Sequence, residues 1–550
     1  MRRKEGDLMN DQEIRRREVL EKPLTGAILH CFAWDFDTIE KHIPQIAAAG
    51  FEAIQTSPIN AVREGDNGGL ELFGNGKWYY HYQPTDWKIG NYQLGSKEQF
   101  EKMAETAHAY GLKVIVDVVP NHTTPNLELV SDELKAAAGG EKELFHQPNG
   151  FTHIDDFEDR VKMTTHSLFG LPDVDTENPG FQDYYIRFLN EAIEAGADGF
   201  RYDTAVHIGL PDDPQLDEAR PNNFWPRVIQ EIDQAPHIFN YGEVLQYGEA
   251  RHHAYIKAIG RAVASKYGEA LRKALHDEEL DPQLLQDWQV EAGDEPYLVP
   301  WVESHDNYIH SEAFTDIDER HVLLAYALLA ARKDGNPLFF DRPFGSSLKD
   351  LWGENRIGAA GSDFWKDPIV RAVHTFKKEM QGEPERMFSP EKERSDALVL
   401  ERGQRGLLIL TTSRALAADL PVALKEGTYV DLVDGKTEYI VENGRLKGEK
   451  PIGPHQAVIL MEGGQPLSEP GQTGIYTDRF RFRGKPIEVT FFLKNAADAT
   501  YTLRTETRKT TARYTNGQIL KLDPVKGETV LELHARAADG LPLEERYYFS

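Results

Sequence analysis

The stretch KEQFEKMAETAHAYGLKVIVDV, residues Lys97–Val118, contains the repeating unit that decides the fold of this 550-residue chain. Its first part, Lys97–Tyr110, has the apolar spacing of an amphipathic helix. Its second part, Lys113–Val118, is a short and nearly continuous apolar run, which is typical of a strand buried on both faces. The same β-and-α alternation continues from about residue 25 to about residue 380. The sequence therefore predicts a parallel sheet covered by helices.

The other units of this pattern can be placed along the chain. Further helices are predicted at Thr38–Ala49, Phe181–Ala195, Trp225–Asp233 and Asp318–Ala331. Further strands are predicted at Ala27–Ala33, Ala53–Ser57, Phe200–Asp203, Ile238–Glu243, Leu298–Glu303 and Leu338–Asp341, with a sixth strand near Tyr255–Ala264. About eight repeats over this length favour a closed (β/α)₈ TIM barrel over an open sheet.

The pattern also predicts where domains begin and end. The connection between the third strand and the helix near Phe181 has about 60 residues, far more than the usual 2–6, so a small inserted domain is expected after strand 3. After about residue 385, short strands separated by turns predict antiparallel β-sandwich domains joined by a linker at Gly463–Gly471. The expected order is a charged, loosely ordered arm at 1–24, a barrel at 25–121 and 179–385, an inserted domain at 122–178, a β-sandwich at 386–463 and a second all-β domain at 472–550.

Composition excludes several classes of partner. The chain has 62 basic and 90 acidic residues, a formal net charge of −28, which would repel a nucleic-acid backbone. The longest apolar stretch, Val322–Ala331, is too short to cross a membrane. Cys31 is the single cysteine, so no internal disulfide can form. No apolar signal-peptide core precedes Leu24, so a cytoplasmic location is expected. The oligomeric state stays open.

Four segments place polar side chains where a predicted barrel strand ends. They are VIVDVVPNH (Val114–His122), GFRYDTAVH (Gly199–His207), YGEVL (Tyr241–Leu245) and WVESHD (Trp301–Asp306). The carboxyl ends of barrel strands form the active-site face of such folds. A single strand-end Asp or His is more often a cap or a core residue, but buried carboxylates are costly without a partner or a function. The four segments together therefore predict one active site.

Two of these carboxylates suit glycoside cleavage with retention of configuration. That mechanism uses a nucleophile and an acid about 5–5.5 Å apart. Arg201 precedes Asp203 by two residues and points to the same side of the strand, so its charge would keep Asp203 ionised. Glu243 as the acid would need a raised pKa, from apolar neighbours and adjacent anions. Asp306 supplies a third carboxylate, and His122 and His305 can donate hydrogen bonds to sugar hydroxyls.

In this order the four segments resemble the signature regions of the α-amylase family of glycoside hydrolases. The resemblance is closest to the saccharifying bacterial α-amylases, and it covers nearly the whole chain after about residue 25. It extends to AIQTSPIN (Ala53–Asn60), WYYHYQP (Trp78–Pro84), GADGF (Gly196–Phe200) and PLFFDRP (Pro337–Pro343). It implies endo-hydrolysis of α-1,4-glucosidic bonds in starch, glycogen or maltodextrins.

The resemblance also implies residue roles. Asp203 would be the nucleophile, Glu243 the acid/base and Asp306 the stabiliser of the transition state. Asp117 would be a structural carboxylate behind them. The substrate-binding residues would be Tyr79, Tyr82, Gln83, His122, Arg201 and His305, with Tyr79 stacking on a glucose ring.

A structural Ca²⁺ is implied as well, with ligands from Asn121, Asp173 and the backbone carbonyls of Thr164 and His207. All four offer oxygen, as a hard cation requires. The alternative is that Asn121 and Asp173 only cap turns. Zinc motifs and EF-hand loops are absent from the sequence.

The chain departs from the family pattern at two positions. Val206 stands where many relatives have a lysine that contacts the leaving-group side of the glucan, which leaves product pattern and acceptor preference open. Ser304 stands where chloride-dependent relatives have asparagine, so chloride activation is not expected.

Three alternatives remain at this stage. A maltooligosaccharide-specific hydrolase or a glucan transglycosylase of the same family would share every catalytic residue. A non-catalytic binding module would have no reason to retain Asp203, Glu243 and Asp306 together.

The C-terminal β-domain has no tryptophan, since all eight lie at or before Trp365, and Tyr501 and Tyr514 can equally be core residues. A packing role is therefore favoured over starch binding there.

Overall fold

The computed structural model describes residues 11–64, 77–310, 313–346, 353, 355–392, 394–464, 474–481, 487–494, 496–505, 507–515, 518–522, 529–537 and 542–549. The chain packs into two compact units. The first comprises the chain up to Ala47 with Glu52–Ala264 and Val290–Val299, and the second comprises Ala48–Phe51, Ser265–Gln289 and the chain from Pro300 onward. Most of the predicted linker Gly463–Gly471 lies outside the described residues.

Short strands form the central eight-stranded sheet of the described chain. They are β1 (Ile28–Cys31), β2 (Ala53–Thr56), β3 (Lys113–Val118), β4 (Gly199–Tyr202), β5 (Phe239–Gly242), β6 (Ala262–Val263), β7 (Leu298–Val299) and β8 (Leu338–Phe340). Their order is β8-β1-β2-β3-β4-β5-β6-β7, and each pair from β1 to β7 is parallel. Trp301, just after β7, forms a parallel bridge with Leu338 in β8, so the ends of the sheet meet. The predicted (β/α)₈ TIM barrel is confirmed.

Helices alternate with these strands along the chain, as the repeating β-and-α pattern of the sequence predicts. They are α1 (Asp11–Glu21), α2 (Phe36–Ala48), α3 (Lys97–Ala109), α4 (Asp132–Ala137), α5 (Glu141–Leu144), α6 (Arg160–Thr165), α7 (Pro179–Ala195), α8 (Phe224–Glu231), α9 (His252–Ile259), α10 (Ser265–His276), α11 (Pro282–Gln286), α12 (His305–Ile309), α13 (Glu319–Ala331) and α14 (Pro368–Glu379). Within the described residues, no helix has both the length and the apolar character needed to cross a bilayer.

Helix ends follow from the local sequence. Ser96 and Gln99 form a capping box at the start of α3, which satisfies two backbone N–H groups that the helix itself cannot pair. The side chain of Asn178 caps α7, and Pro179 occupies its first position. Gly196 ends α7 with φ 118°, a left-handed conformation that favours glycine. These signals fix the point where the chain turns into β4.

The sixth strand is shorter than the sequence predicts. Tyr255–Ile259 belong to helix α9, and only Ala262–Val263 form β6. Tyr255, Ile256 and Ile259 are buried at helical spacing, and Gly260 ends the helix at φ 112°. A short apolar run fits both a strand and one face of a helix, so the prediction over Tyr255–Ala264 was wrong for its first half.

The long connection after β3 contains α4, α5 and α6 and a few isolated β-bridges. Among the bridges are His122 with Asp173, Phe145 with Val174 and His153 with Ser167. The segment therefore leaves the barrel at His122 and returns beside it at Asp173. A short two-stranded ribbon, Ala61–Val62 with Pro84–Asp86, follows β2.

The chain after α14 is antiparallel β-structure, as predicted. Two four-stranded sheets with strand orders β9-β10-β11-β16 and β12-β15-β14-β13 enclose an apolar core that includes Val399, Ile409 and Leu460. Their strands are β9 (Glu385–Phe388), β10 (Ala397–Arg402), β11 (Gly406–Thr411), β12 (Asp419–Pro421), β13 (Gly427–Val430), β14 (Glu438–Glu442), β15 (Arg445–Gly448) and β16 (Ala457–Met461).

In the described residues after 473 there are seven further strands. They are β17 (Gly474–Arg481), β18 (Ile487–Lys494), β19 (Ala496–Thr505), β20 (Lys509–Arg513), β21 (Ile519–Leu522), β22 (Thr529–Ala537) and β23 (Pro542–Phe549), in sheets of order β17-β18-β21 and β20-β19-β22-β23. Tyr514 is buried in their core, and Tyr501 packs partly buried against it. Tyr514 is a core residue and Tyr501 packs against the core, which supports a packing role for this segment.

The described part of the predicted N-terminal arm is more ordered than expected from its charge, and residues 1–10 lie outside the described residues. Residues Asp11–Glu21 form helix α1, in the stretch that the sequence suggested was loose. The buried Lys113 donates hydrogen bonds from Nζ to the carbonyls of Val19 (2.6 Å) and Leu20 (2.9 Å) at the end of this helix. Arg16 donates to the carbonyl of Glu194 at 2.9 Å. Contacts with residues distant in sequence, which no local pattern reveals, hold α1 in place.

Lys113→Met should lower the free energy of unfolding by about 2 kcal/mol, because two carbonyls at the end of α1 lose their buried donor. The midpoint of urea unfolding measures this change. Lys41→Met is the matched control, since Lys41 is exposed on α2 and should shift stability by less than about 0.5 kcal/mol. Equal midpoints for the two variants would contradict a role for Lys113 in anchoring α1.

Candidate active site

Three neighbouring barrel strands bring the predicted catalytic groups of the first unit together. In the register of β3, β4 and β5, Asp117 lies opposite Arg201, and Tyr202 lies opposite Gly242. Asp203 and Glu243 are the next residues on β4 and β5, so they leave adjacent strands at the same level. Neighbouring strands lie about 4.8 Å apart. The backbone thus brings the two carboxyls out side by side at one edge of the barrel, the arrangement that a retaining mechanism requires of its nucleophile and its acid.

The guanidinium of Arg201 contacts all three carboxyls at this edge of the barrel. Its Nη1 lies 2.8 Å from Oδ1 of Asp117 and 2.7 Å from Oδ1 of Asp203. Its Nη2 is paired with Oε1 of Glu243. Oε2 of Glu243 also accepts a hydrogen bond of 3.0 Å from the backbone N–H of Thr204. The sequence argument assigned Arg201 to Asp203 alone, and its contact with Glu243 is a finding of the structure.

Because this cluster is buried, the charges of its members strongly shift one another's pKa values. Burial opposes the charge of Arg201, yet Asp117, Glu243 and Asp203 together raise the pKa of its guanidinium well above the usual value. Burial raises the pKa of Asp117 well above its ordinary range, although Arg201 acts in the opposite direction. Three carboxyls around one cation favour keeping a proton within the cluster. A site in which one carboxyl is ionised and another protonated is what acid-assisted glycoside cleavage needs.

The predicted sugar-binding residues near this cluster have distinct surroundings. Tyr82 is buried and donates from its hydroxyl to Oδ2 of Asp117 at 3.0 Å. His122 is buried and donates from Nε2 to the carbonyl of Tyr82 at 2.9 Å. Burial lowers the pKa of His122 to about 4, so its ring is neutral at pH 7. Tyr79 is 38 % exposed, as a stacking platform must be, and Gln83 is partly buried at the end of the helical turn Trp78–Tyr82.

His305 and Asp306 belong to the second unit, where they begin helix α12. Ser304 caps this helix and forms a capping box with Asn307. Nε2 of His305 lies 3.4 Å from Oδ1 of Asp306. The order of the segments places both residues after β7, at the end of a barrel strand. Their part in the site stays a prediction from the sequence.

The two departures from the family pattern have structural counterparts. The side chain of Val206 is buried, and its carbonyl accepts a hydrogen bond of 2.9 Å from Tyr255. An apolar side chain in this place supplies no charge to a bound glucan. Ser304 acts as the N-cap of α12, a role for which its hydroxyl is well suited.

The predicted calcium ligands form two adjacent pairs in the first unit. The bridge between His122 and Asp173 brings Asp173 next to Asn121. The ring of His207 contacts the carbonyl of Met163 through Nδ1 at 2.8 Å, which holds His207 beside Thr164. Burial lowers the pKa of His207 to about 4, and nearby His122 acts in the same direction.

Asp173 has the properties of a carboxylate that needs a cation. Its side chain is buried, and Oδ1 has no hydrogen-bond partner in the part of the chain that the structure describes. Burial raises the pKa of Asp173 to about 7, although His146 acts in the opposite direction. A carboxylate oxygen in this condition, beside the amide of Asn121, fits the donor set of Ca²⁺.

Sequence reasoning missed the side chains on the other face of Asp173. His146 contacts Oδ2 of Asp173 through Nδ1 at 2.6 Å and Oε2 of Glu177 through Nε2 at 2.7 Å. Burial opposes protonation, yet these two carboxylates raise the pKa of His146 well above its usual value. Arg220 pairs with Asp175 next to this histidine. Only the alternation of acidic residues Asp173, Asp175 and Glu177 could have signalled such a cluster.

The sequence and fold resemble known proteins over most of the chain. Residues 26–321 match the family described as "Alpha amylase, catalytic domain". An α-amylase of Butyrivibrio fibrisolvens is 41 % identical over 470 residues, covering 80 % of this chain and 47 % of that protein. An α-amylase of Clostridium acetobutylicum is 31 % identical over 439 residues, covering 79 % of this chain and 54 % of that protein.

This chain therefore spans about half the length of the curated relatives it matches. Among solved structures, α-amylase I of Eisenia fetida superposes with a TM-score of 0.64 at 19 % identity, covering 80 % of this chain and 98 % of that one. This likeness supports the fold. Because the family match includes β1 to β7 and the strand-end segments, the chain belongs to the α-amylase family.

Proposed function

We propose that this chain is a retaining endo-hydrolase of α-1,4-glucosidic bonds in starch, glycogen or maltodextrins. The observation that carries the proposal is the register of β4 and β5, which sets Asp203 and Glu243 on adjacent strands at one level. Arg201 then pairs with both carboxyls. The Eisenia fetida enzyme of similar fold was solved with maltohexaose, which agrees with an α-glucan substrate.

The reaction proceeds in two steps on this geometry. Asp203 attacks C1 of the sugar while Glu243 gives its proton to the departing glycosidic oxygen, and a glycosyl ester forms on Asp203. Glu243 then takes a proton from water, which attacks C1 and releases Asp203. Asp306 is assigned to the oxocarbenium-like transition state. His122, Arg201 and His305 hold the sugar, and Tyr79, Tyr82 and Gln83 line the cleft.

Transglycosylation is the second candidate, because the buried and uncharged Val206 leaves the choice of acceptor open between water and a sugar hydroxyl. Without a lysine at this position, the acceptor side of the cleft has no fixed positive charge from this residue. A sugar hydroxyl would then replace water in the second step. Products longer than the starting maltoheptaose would accumulate under that mechanism, whereas hydrolysis yields only shorter ones.

Asp203→Asn should lower kcat on maltoheptaose by about three orders of magnitude or more, because the amide cannot form the glycosyl ester. The protein should stay folded and still bind maltoheptaose, as calorimetry would show. Asp233→Asn, at an exposed position after α8, is the matched control and should keep full activity. Activity of Asp203→Asn within about tenfold of the parent chain would exclude Asp203 as nucleophile.

Glu243→Gln should abolish cleavage of maltoheptaose but retain much more activity on an aryl glycoside whose leaving group needs little protonation. The ratio of kcat/KM on the two substrates measures this difference. Glu249→Gln, at an exposed acid nearby, should leave the ratio unchanged. If Glu243→Gln lost the same factor on both substrates, Glu243 would not be the acid.

We also propose that Asn121, Asp173 and the backbone carbonyls of Thr164 and His207 hold a structural Ca²⁺. Support comes from the buried Oδ1 of Asp173, which has no hydrogen-bond partner among the described residues, and from the oxygen-only donor set. When bound, the ion would compensate the negative charge of Asp173 and join the inserted segment to the turn after β4. It takes no part in bond cleavage.

Removal of Ca²⁺ with EGTA should lower the melting temperature, and added Ca²⁺ should restore it, because a ligand of the folded state stabilises that state. Asp173→Ala should remove the response to both reagents. Asp155→Ala is the control, since Asp155 is an exposed carboxylate of the same inserted segment. Metal analysis should accompany the melting curves. A calcium-free chain with an unchanged melting temperature would contradict the assignment.

A further inference from the structure

Three partly exposed side chains from separate parts of the second unit lie close together. They are far in sequence from Asp203 and Glu243. They are Glu278 after α10, His321 in the first turn of α13 and His455 in the loop before β16. Nε2 of His321 lies 3.3 Å from Nδ1 of His455 and 3.8 Å from Oε1 of Glu278. Nε2 of His455 lies 3.7 Å from the same oxygen of Glu278. We propose that these three residues bind a Zn²⁺ ion.

The distances fit a tetrahedral zinc. Zinc–nitrogen bonds of 2.0–2.1 Å place two ligand nitrogens about 3.3 Å apart, which is the separation found between the two histidine rings. With Nε2 of His321 and Nδ1 of His455 as the two nitrogen ligands, Oε1 of Glu278 lies 3.8 Å from Nε2 of His321, about 0.4 Å more than the same geometry requires. Rotation of the flexible Glu278 side chain would bring a carboxylate oxygen toward both nitrogens. Two imidazoles and one carboxylate are ligands that zinc accepts, and water would fill the fourth position.

A second carboxylate orients His321 for this role. Nδ1 of His321 lies 3.3 Å from Oδ1 of Asp318. When Nδ1–H donates to this carboxylate, Nε2 carries the lone pair and faces His455 and Glu278. Such carboxylate–histidine pairs are the usual support for histidine ligands of metals. Asp318 also caps α13 through the backbone N–H of His321 at 3.0 Å, so the pair is held at a fixed helix end.

Hydrogen bonds to backbone carbonyls already join the segments that carry the three ligands. Arg320 donates from Nε to the carbonyl of His455 at 2.7 Å, and His455 donates its own N–H to the carbonyl of Thr412 at 2.7 Å. Thr412 in turn donates from Oγ1 to the carbonyl of Glu278 at 3.1 Å. Glu278 and His455 both have a left-handed backbone, at φ 56° and 53°. The site is therefore built before any ion arrives, and zinc would fasten α10 and α13 to the β-sandwich.

The test uses the whole chain in excess Ca²⁺, stripped of transition metals and titrated with ZnCl₂ against a competing chromogenic chelator. The parent chain should take up one tightly bound Zn²⁺, and its melting temperature should rise with the ion. His455→Gln should weaken this binding at least about a hundredfold and remove the rise. Asp318→Asn, which still caps the helix, should weaken it about 10–100-fold.

Two controls separate this site from other histidines. His276→Gln changes an exposed histidine of α10 outside the cluster and should leave zinc binding unchanged. His146→Gln changes the other histidine–carboxylate cluster and should also leave it unchanged. The proposal is overturned if the parent chain takes up no zinc, if His455→Gln binds it equally well, or if binding is lost with His146→Gln. If the parent chain takes up no zinc and His455→Gln still has a lower melting temperature, the contact between His321 and His455 is only a stabilising hydrogen bond between the two rings.

Discussion

The pairing of one buried guanidinium with three carboxyls is the interaction on which the active site depends. Arg201 stands on β4 between Asp117 on β3 and Glu243 beyond β5, and its own strand supplies Asp203. Buried carboxylates are too costly to keep together without a compensating cation. The register of three strands must therefore be correct to within one residue, because a shift by one would turn Arg201 to the opposite side of its strand.

The fold and the meeting of carboxyls at one edge of the barrel could be predicted because their signals are local. The run Lys113–Val118 is apolar on both faces of a strand, and the structure has a strand over that same range. Arg201 and Asp203 follow the two-residue period of a strand, so their common side could be read from spacing alone, whereas the place of Asp117 behind them came from the family resemblance. Which atoms of Arg201 contact which carboxyl could not be read in this way, and the pairing with Glu243 emerged only from the structure.

Features that depend on contacts between distant segments escaped prediction. Helix α1 is polar, and Lys113, far along the chain, holds its end. The bonds of His146 to Asp173 and Glu177, across the inserted segment, have no counterpart in any short motif. The prediction of the sixth strand failed for a different reason. The residues before Gly260 fit one face of a helix as well as they fit a strand. Local sequence patterns reveal the period of a helix or a strand. The partners of buried polar side chains depend instead on how distant segments pack against one another.

The anchoring of α1 affects how the chain can fold as it emerges from a ribosome. Arg16 bonds to the carbonyl of Glu194, 178 residues later in the sequence. At about 5–20 residues per second, that partner is synthesised roughly 9–36 s after Arg16. During this interval α1 has none of its anchoring carbonyl contacts at the end of α7. The polar side chains of α1 can stay hydrated until the end of α7 has been synthesised. A polar sequence therefore suits a helix whose binding partner is synthesised much later.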